Sequence, residues 1–172
     1  SLRTRVLGSW EELSVNTTAG KLKSVVEALP GVMCAYVDDQ HPRGQGTVDV
    51  IVIGTAGAAS AELIQQAQQA IDTLRDNYED YLVKSGEIIY QDVDIVLHLK
   101  SGTSTSDVED VAKTLIASAM KLSNRSEFNV FLQDDIRYVL KSSIPGYRKT
   151  VFTTPATDLE LAQDKVIMLG NI

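Results

Sequence analysis

A proline–glycine pair, Pro30-Gly31, divides an apolar pattern of helical spacing from a stretch with the pattern of a β-hairpin. Before the pair, apolar residues recur every three or four positions from Ala19 to Leu29, which predicts a helix. After the pair, the sequence predicts a short strand over Val32–Val37 and an alternating strand over Thr47–Ile53. The connection between them, Asp38–Gly46, is rich in turn-forming residues. A helix followed by two adjacent antiparallel strands is therefore expected.

A second helix follows the hairpin and completes a first module. Ser60 is predicted to cap this helix, and its apolar stripe continues to about Tyr78. In the alternating strand, Val48, Val50 and Val52 share one face, because side chains alternate along a strand. We expect this face to pack under both helices.

The second half of the chain carries its own helices and strands. The predicted elements are a strand over 93–99, a helix over 108–122 with a capping box at Ser106–Glu109, a helix over about 132–142, and strands over 148–153 and 165–169. Each half also has a helix, a Pro-Gly pair and a strand in that order, in VVEALPGV from Val25 and VLKSSIPGY from Val139. This echo suggests two related modules in tandem.

The segment from Asn77 to Glu87 carries no inward-facing stripe and includes Gly86, so the domain boundary is placed there. Residues 1–82 form the first predicted module (helix-strand-strand-helix), and residues 83–172 form the second (strand-helix-helix-strand-strand). The fold class is α+β, with two small tandem α/β-sandwich-like modules, each a short, mostly antiparallel sheet packed by helices. Domains of this size bury only roughly 60–65% of their surface, so each is individually marginal.

Composition excludes several classes of function. The net charge of −7 and the pI near 4.8 disfavour a nucleic-acid partner, because phosphate backbones repel an acidic surface. No apolar stretch approaches the roughly 20 residues of a membrane span, so no membrane partner is expected. A single cysteine, Cys34, permits no internal disulfide.

The two glycines of Gly44-Gln45-Gly46 raise the hypothesis of a phosphate-binding loop. Such a loop needs a helix N-terminus directly after it, because the helix supplies free N–H groups and a favourable dipole. Here an alternating strand follows instead. The glycines are therefore interpreted as hairpin residues that accept positive φ, and no cofactor site is predicted.

The neighbouring Asp38, Asp39 and His41 raise the hypothesis of a metal site. A metal site usually needs three or four ligands, and no second cluster with suitable spacing accompanies these residues, so turn chemistry is the preferred interpretation. Cys34 is interpreted as a small buried hydrophobe, since no residue orients His41 toward it as a base. His98 is expected on a solvent-exposed strand face.

Hydroxyl-rich Ser101–Ser106 lacks a nucleophile elbow. We therefore predict no catalytic, cofactor-binding or metal-binding residues, and a chain that is not an enzyme.

The order of motifs resembles the baseplate J-like family. The resemblance rests on LRTRVLGSW, a helix ending in ALPGV, then AYVDDQ, GQGTVDVIVIG and, further on, FNVFLQDDI before the second helix-Pro-Gly-strand stretch. Pro30-Gly31-Val32 and the GQGTV of residues 44–48 carry most of it. The order holds from about Arg3 to the end of the chain and corresponds to the middle and C-terminal domains of that family, without its N-terminal portion.

The resemblance implies a mechanical function. Members of the family are inner wedge proteins of contractile phage tails and related injection machines, and they have no catalytic residues. The implied partners are other wedge and hub proteins of the baseplate, together with copies of the chain itself in a ring. The implied location is the tail baseplate of a virion or prophage particle, assembled in the bacterial cytoplasm.

Two other classes of function are weighed against this one. Compact α+β folds often bind small molecules, so a regulatory module is the main rival, and a bound metabolite would raise its melting temperature. The other rival is an enzyme that uses the loop of Asp38, Asp39 and His41.

Overall fold

The computed structural model describes residues 18–74, 79–103, 105 and 107–172. The chain divides into two compact units, one ending at Glu87 and the other running from Ile88 to Ile172. Each combines helices with short, mostly antiparallel strand pairs, which confirms the predicted α+β class. The LRTRVLGSW motif lies outside the described residues, as do Tyr78, Ser104 and Ser106.

In the first unit, two helices pack on a sheet that is centred on one strand. The elements are α1 (Ala19–Glu27), β1 (Val32–Asp38), β2 (Thr47–Gly54), β3 (Gly57–Ala58), α2 (Ala61–Asp72) and β4 (Asp80–Ser85). Strand β2 pairs antiparallel with β1 and β3, and parallel with β4. The predicted antiparallel hairpin is confirmed.

The core of the first unit lies between the helices and one face of β2. Val48, Val50 and Val52 pack there with apolar residues of both helices, as predicted; the helix residues are Leu22, Val26, Leu63, Ile64, Ala67 and Ile71. The Thr18 hydroxyl caps α1 by accepting from Lys21 N, and the Ser60 hydroxyl caps α2 by accepting from Leu63 N. These caps set where each helix begins.

The other face of β2 is also buried, which the alternating pattern did not predict. Asp49, Ile51 and Ile53 lie on this face and are each at most 3% exposed. The sequence contains a signal for this arrangement, since residues 50–53 are four consecutive apolar positions. Such a run is typical of a strand buried on both faces.

The structure differs most from the sequence analysis at the predicted boundary segment, residues 77–87. Residues 80–85 are β4, which pairs with β2 and contributes the buried side chains of Tyr81 and Val83 to the first core. Gly86 N then donates to the carbonyl of Val52 over 2.9 Å. Residues 80–85 therefore belong to the sheet of the first unit, and the two units divide after Glu87, at the end of the predicted boundary segment.

In the second unit, the strands pair two by two, and an apolar core packs them with two helices. The elements are β5 (Glu87–Gln91), β6 (Asp94–Leu99), α3 (Val108–Ala119), a 3-10 turn (Leu122–Asn124), β7 (Val130–Phe131), α4 (Gln133–Ser143), β8 (Tyr147–Thr154), β9 (Leu159–Glu160) and β10 (Lys165–Leu169). The pairs are β5 with β10, β6 with β8, and β7 with β9. The predicted strand, helix, helix, strand, strand are all present, and β5, β7 and β9 are additions.

Two helices end earlier than their apolar stripes predicted. Helix α2 ends at Asp72, and α3 ends at Ala119, while Leu122 is buried in the 3-10 turn that follows α3. An apolar stripe reports burial, which continues into the turn after the helical hydrogen bonds have stopped. Ser106 of the predicted capping box lies outside the described residues.

The helix-Pro-Gly-strand pattern that repeats in the two halves has a similar backbone conformation in both. Gly31 after α1 has a φ of +93°, and Gly146 after α4 has a φ of +71°. In both places a glycine in a conformation that L side chains rarely adopt turns the chain from a helix into a strand. Among the described residues, no helix has the length and apolar character needed to cross a membrane.

Candidate functional site

The connection between β1 and β2 holds the residues that the sequence analysis weighed as a metal site. Asp38 Oδ1 accepts from Gln40 N over 3.1 Å, and Asp39 Oδ1 accepts from Gln40 Nε2 over 2.8 Å. His41 lies in the exposed part of the connection with a φ of +57°. Both carboxylates thus serve the turn, and the described residues contain no group of three or more His, Cys, Asp or Glu side chains placed to hold a metal ion.

The glycines of the same connection have the backbone of a tight reversal. Gly44 and Gly46 have φ values of +121° and +81°, and β2 begins directly after them. Thr47 stabilises the turn, because its hydroxyl accepts from Arg43 N and donates to the carbonyl of Gly44. With a strand in the place of a helix N-terminus, the free donors of a phosphate-binding loop are not supplied here.

Arg43, which the sequence analysis did not single out, fixes this connection to the sheet. Its Nε donates to Asp49 Oδ1 over 2.6 Å, and its guanidinium also bonds both the carboxylate and the carbonyl oxygen of Asp80. Lys84 Nζ approaches the other oxygen of Asp49 at 2.9 Å. These four side chains, which we call the Asp49 cluster, join the β1–β2 connection, β2 and β4.

The Asp49 carboxylate is the buried centre of the cluster, with only 2% of the residue exposed. Burial alone would raise the pKa of Asp49, but the hydrogen bonds from Arg43 and Lys84 outweigh it, so the pKa is lowered from its ordinary value. The hydrogen bonds to Asp49 and Asp80 raise the pKa of Arg43 in turn. Asp49 therefore stays ionised and paired, and its ion pairs connect the segments that carry Arg43 and Lys84.

The structure does not bring Cys34 and His41 together. Cys34 pairs with Ile53 near the start of β1, whereas His41 lies beyond the strand's far end at Asp38. The four residue-to-residue steps from 34 to 38 span roughly 13 Å of strand. Burial, followed by the charge of Glu27, raises the pKa of Cys34 to about 11, so its thiol stays protonated at neutral pH.

The remaining polar candidates lie on the surface of the second unit. His98 is exposed on β6, opposite Lys149 of β8, as the sequence analysis expected. Ser101 is exposed in the turn after β6. Residues 104 and 106 of the hydroxyl-rich segment lie outside the described residues.

Two open grooves and an exposed apolar pair mark the surface of the second unit. One groove of about 490 Å³ lies between α3 and α4, and one of about 480 Å³ runs along β6 and α3. Val96 of β6 and Val151 of β8 lie directly opposite each other, and they are 50% and 43% exposed. The two side chains form a small exposed apolar patch on one face of the β6–β8 pair.

Comparison with known proteins gives a structural likeness. No family model and no curated protein matches the sequence. Eighteen chains of solved structures match the fold. One is a chain of the cryo-EM structure of the anti-feeding prophage (AFP) baseplate, 6-fold symmetrised, with a TM-score of 0.67 and 13% sequence identity. The match covers 99% of the present chain and 41% of the baseplate chain, so the present chain spans about two fifths of that protein's length.

Proposed function

We propose that this chain is a non-catalytic structural component of the baseplate of a contractile injection machine, from a phage or a prophage. The observation that carries the proposal is the likeness to a chain of the anti-feeding prophage baseplate, which extends over 99% of the residues. The motif order that resembles the baseplate J-like family supports the same function through different features of the sequence.

The chemistry of the described residues supports a structural role. The most buried charged cluster, around Asp49, has its donors and acceptors paired with one another and presents no free base to a substrate. The one thiol is protonated at neutral pH. The grooves of the second unit are open surfaces along helices and a strand, which suits contact with other proteins.

In this proposal the chain joins neighbouring wedge and hub subunits, and copies of itself, in a ring around the tail hub. Ring closure requires repeated interfaces on each copy, and two small α+β units with broad surfaces can provide them. Assembly takes place in the bacterial cytoplasm, and the finished location is the tail baseplate. Neither nucleic acid nor membrane is among the proposed partners.

Particle composition tests the proposal. In the source bacterium, the gene would be deleted and replaced by a tagged copy, and tail-like particles would be purified by the tag and by density. We expect the tagged protein to copurify with sheath and tube proteins at a fixed ratio, and its fold to fit density at the baseplate. Normal, contractile particles from the deletion strain would contradict the proposal, as would a metabolite that binds the purified chain and raises its melting temperature.

A further inference from the structure

Strand β6 has one paired edge and one open edge. Its paired edge runs along β8 from Asp94 to Leu99, and the two extra residues of the register shifts lie in β8, so β6 itself is regular. Within the described part of the chain, no strand pairs with its other edge. The backbone polar groups on that side are therefore a template for another strand.

Backbone directions show which residues face the open edge. Lys100 N donates to the carbonyl of Gly146 on the β8 side, and Val93 N donates to Asn171 on the other side. Because successive N–H groups of a regular strand alternate in direction, the N–H and C=O groups of Ile95 and Leu97 point to the open edge.

The open edge borders the groove of about 480 Å³ between β6 and α3. Its lining is mainly apolar and includes Ile95, Leu97, Leu99, Val108, Ala112 and Ile116, with Thr105, Glu109, Lys113 and Ile172 beside them. A strand added at this edge would place every second side chain against the groove, so those side chains should be apolar.

The outward-facing side chains of β6 indicate which kind of strand can pair with its open edge. In chain order, Asp94, Val96 and His98 point outward, with Asp92 before them and Lys100 after them. The acidic side chains of Asp92 and Asp94 thus precede Val96, and His98 and the basic Lys100 follow it; the Asp92 carboxylate also accepts from Asn171 N. The inward residues Val93, Ile95, Leu97 and Leu99 are apolar throughout. When the strand is read in the opposite direction, each acidic position falls opposite a histidine or a lysine. Two copies of this strand are therefore complementary in an antiparallel pair.

We propose that a second copy of this chain pairs antiparallel with β6 about a two-fold axis at Val96, and forms a four-stranded sheet in the order β8–β6–β6–β8. In this register Ile95 faces Leu97 of the other copy, and each of the two residues has its hydrogen-bonding groups at the open edge. Val96 then faces Val96, and Asp94 faces His98. The Val96–Val96 and Asp94–His98 pairs are non-hydrogen-bonded pairs, in which side chains approach most closely.

The open edge of β6 would be the surface through which copies of the chain associate in the proposed ring. A role for this contact in the baseplate rests on the proposed function. The contact is isologous, as a two-fold interface requires. A single pair of strand edges is small for a stable interface, so a weak dimer is expected from this contact alone. It would gain strength where other baseplate contacts hold two copies together.

Disulfide trapping tests the geometry. In a Cys34→Ala background, Val96→Cys places two thiols across the axis at a separation that a disulfide can bridge. Val151→Cys is the matched control, because Val151 has similar exposure on the same sheet face but lies one strand away from the axis. Under mild oxidation we expect covalent dimer to form at least about tenfold faster for Val96→Cys. Equal rates would overturn the proposal.

Charge reversal tests the register without a cross-link. His98→Glu places a carboxylate opposite that of Asp94 across the axis, and adding Asp94→Lys to it restores opposite charges. In sedimentation equilibrium we expect His98→Glu to raise the dissociation constant about tenfold, and the double variant to return to within about threefold of the original chain. A double variant as weak as His98→Glu would overturn the register, provided that both melt like the original chain.

Particle purification separates this inference from the proposed function. A chain that enters particles but shows no preferential trapping at Val96 would refute the β6 dimer alone and leave the edge to a strand of a different subunit. A chain that dimerises through β6 but is absent from particles would refute the baseplate role alone.

Discussion

The Nε of Arg43 donates to Oδ1 of Asp49 over 2.6 Å, and so an exposed turn is tied to the buried strand that it precedes. The same guanidinium continues to Asp80 at the start of β4. One arginine therefore holds together β2, β4 and the connection between β1 and β2. The connection is exposed, but its backbone is anchored at one side chain.

Replacing Asp49 should destabilise the first unit, whereas replacing Asp39 should not. Asp49→Ala removes the shared partner of Arg43 and Lys84, and we expect the free energy of unfolding to fall by about 1–3 kcal/mol, since both cations retain access to water. Asp39→Ala and His41→Ala should change it by less than about 1 kcal/mol. Urea denaturation followed by circular dichroism measures all three. Equal effects of Asp49→Ala and Asp39→Ala would contradict the role of the Asp49 cluster.

The contribution of Asp49 should disappear in acid. Its pKa is lowered in the folded chain, so the ionised form stabilises the fold above the unfolded-state pKa of about 3.9. That stability is lost as pH falls from about 4 through the lower folded-state pKa. We expect the difference in unfolding free energy between the original chain and Asp49→Asn to be constant near neutrality and to shrink below about pH 4. A difference that grows on acidification would contradict this sign.

Gly146 should tolerate alanine less well than Gly102 does. Both have positive φ, but a Cβ at Gly146 would overlap the side chain of Thr103, while nothing lies near one at Gly102. Gly102→Ala should cost about 1 kcal/mol of stability from backbone strain alone, and Gly146→Ala at least about 2 kcal/mol. Thermal denaturation compares the two variants. Equal costs would mean that Thr103 moves aside freely.

Val50 should be essential to the first unit. It is fully buried between the helices, so Val50→Asp would place an unpaired carboxylate in an apolar core and should unfold that unit. Val151→Asp, on an exposed strand face, is the control and should shift the melting temperature by only a few degrees. Far-UV circular dichroism and nuclear magnetic resonance spectra of the full chain would show the loss. A cooperatively folded first unit in Val50→Asp would refute the assignment of its core.

The two units should fold separately, because each has an apolar core of its own. We propose that residues 1–87 and residues 88–172, expressed as separate fragments, each unfold cooperatively but with lower stability than typical larger domains. Lys84 should resist trypsin in the folded chain, since it lies within the paired strand β4. A disordered 88–172 fragment would contradict the division.

The sequence predicted those helices and strands that are determined by residues close to one another in the chain. The α1–Pro-Gly–β1 stretch, the β1–β2 reversal and the valine face of β2 follow from spacing and turn chemistry that a few neighbouring residues determine. Strand β4 was missed because its partner, β2, is far away in the sequence, and its only local signal is the short alternation of Tyr81 and Val83. A parallel pair leaves no turn signature between its strands.

The Asp49 cluster was missed for a related reason. An aspartate between valines in an alternating strand predicts a solvent-exposed face, and its burial depends on Arg43 and Lys84 reaching it from two other segments. The apolar run of residues 50–53 was the available hint that both faces are covered. The open edge of β6 likewise depends on which strands pair, and no pattern within the strand reports it.

The parallel pairing of β2 with β4 also bears on how fast the first unit assembles. Thr47 faces Asp80 in that ladder, so the chain must close a segment of more than thirty residues, including α2, before the pairing forms. Closing that segment costs chain entropy before the hydrogen bonds between β2 and β4 stabilise the unit. Folding is therefore slower than for a simple hairpin. Until β4 arrives, one edge of β2 is unprotected. A nascent or crowded chain is then at its greatest risk of intermolecular pairing along its most apolar strand.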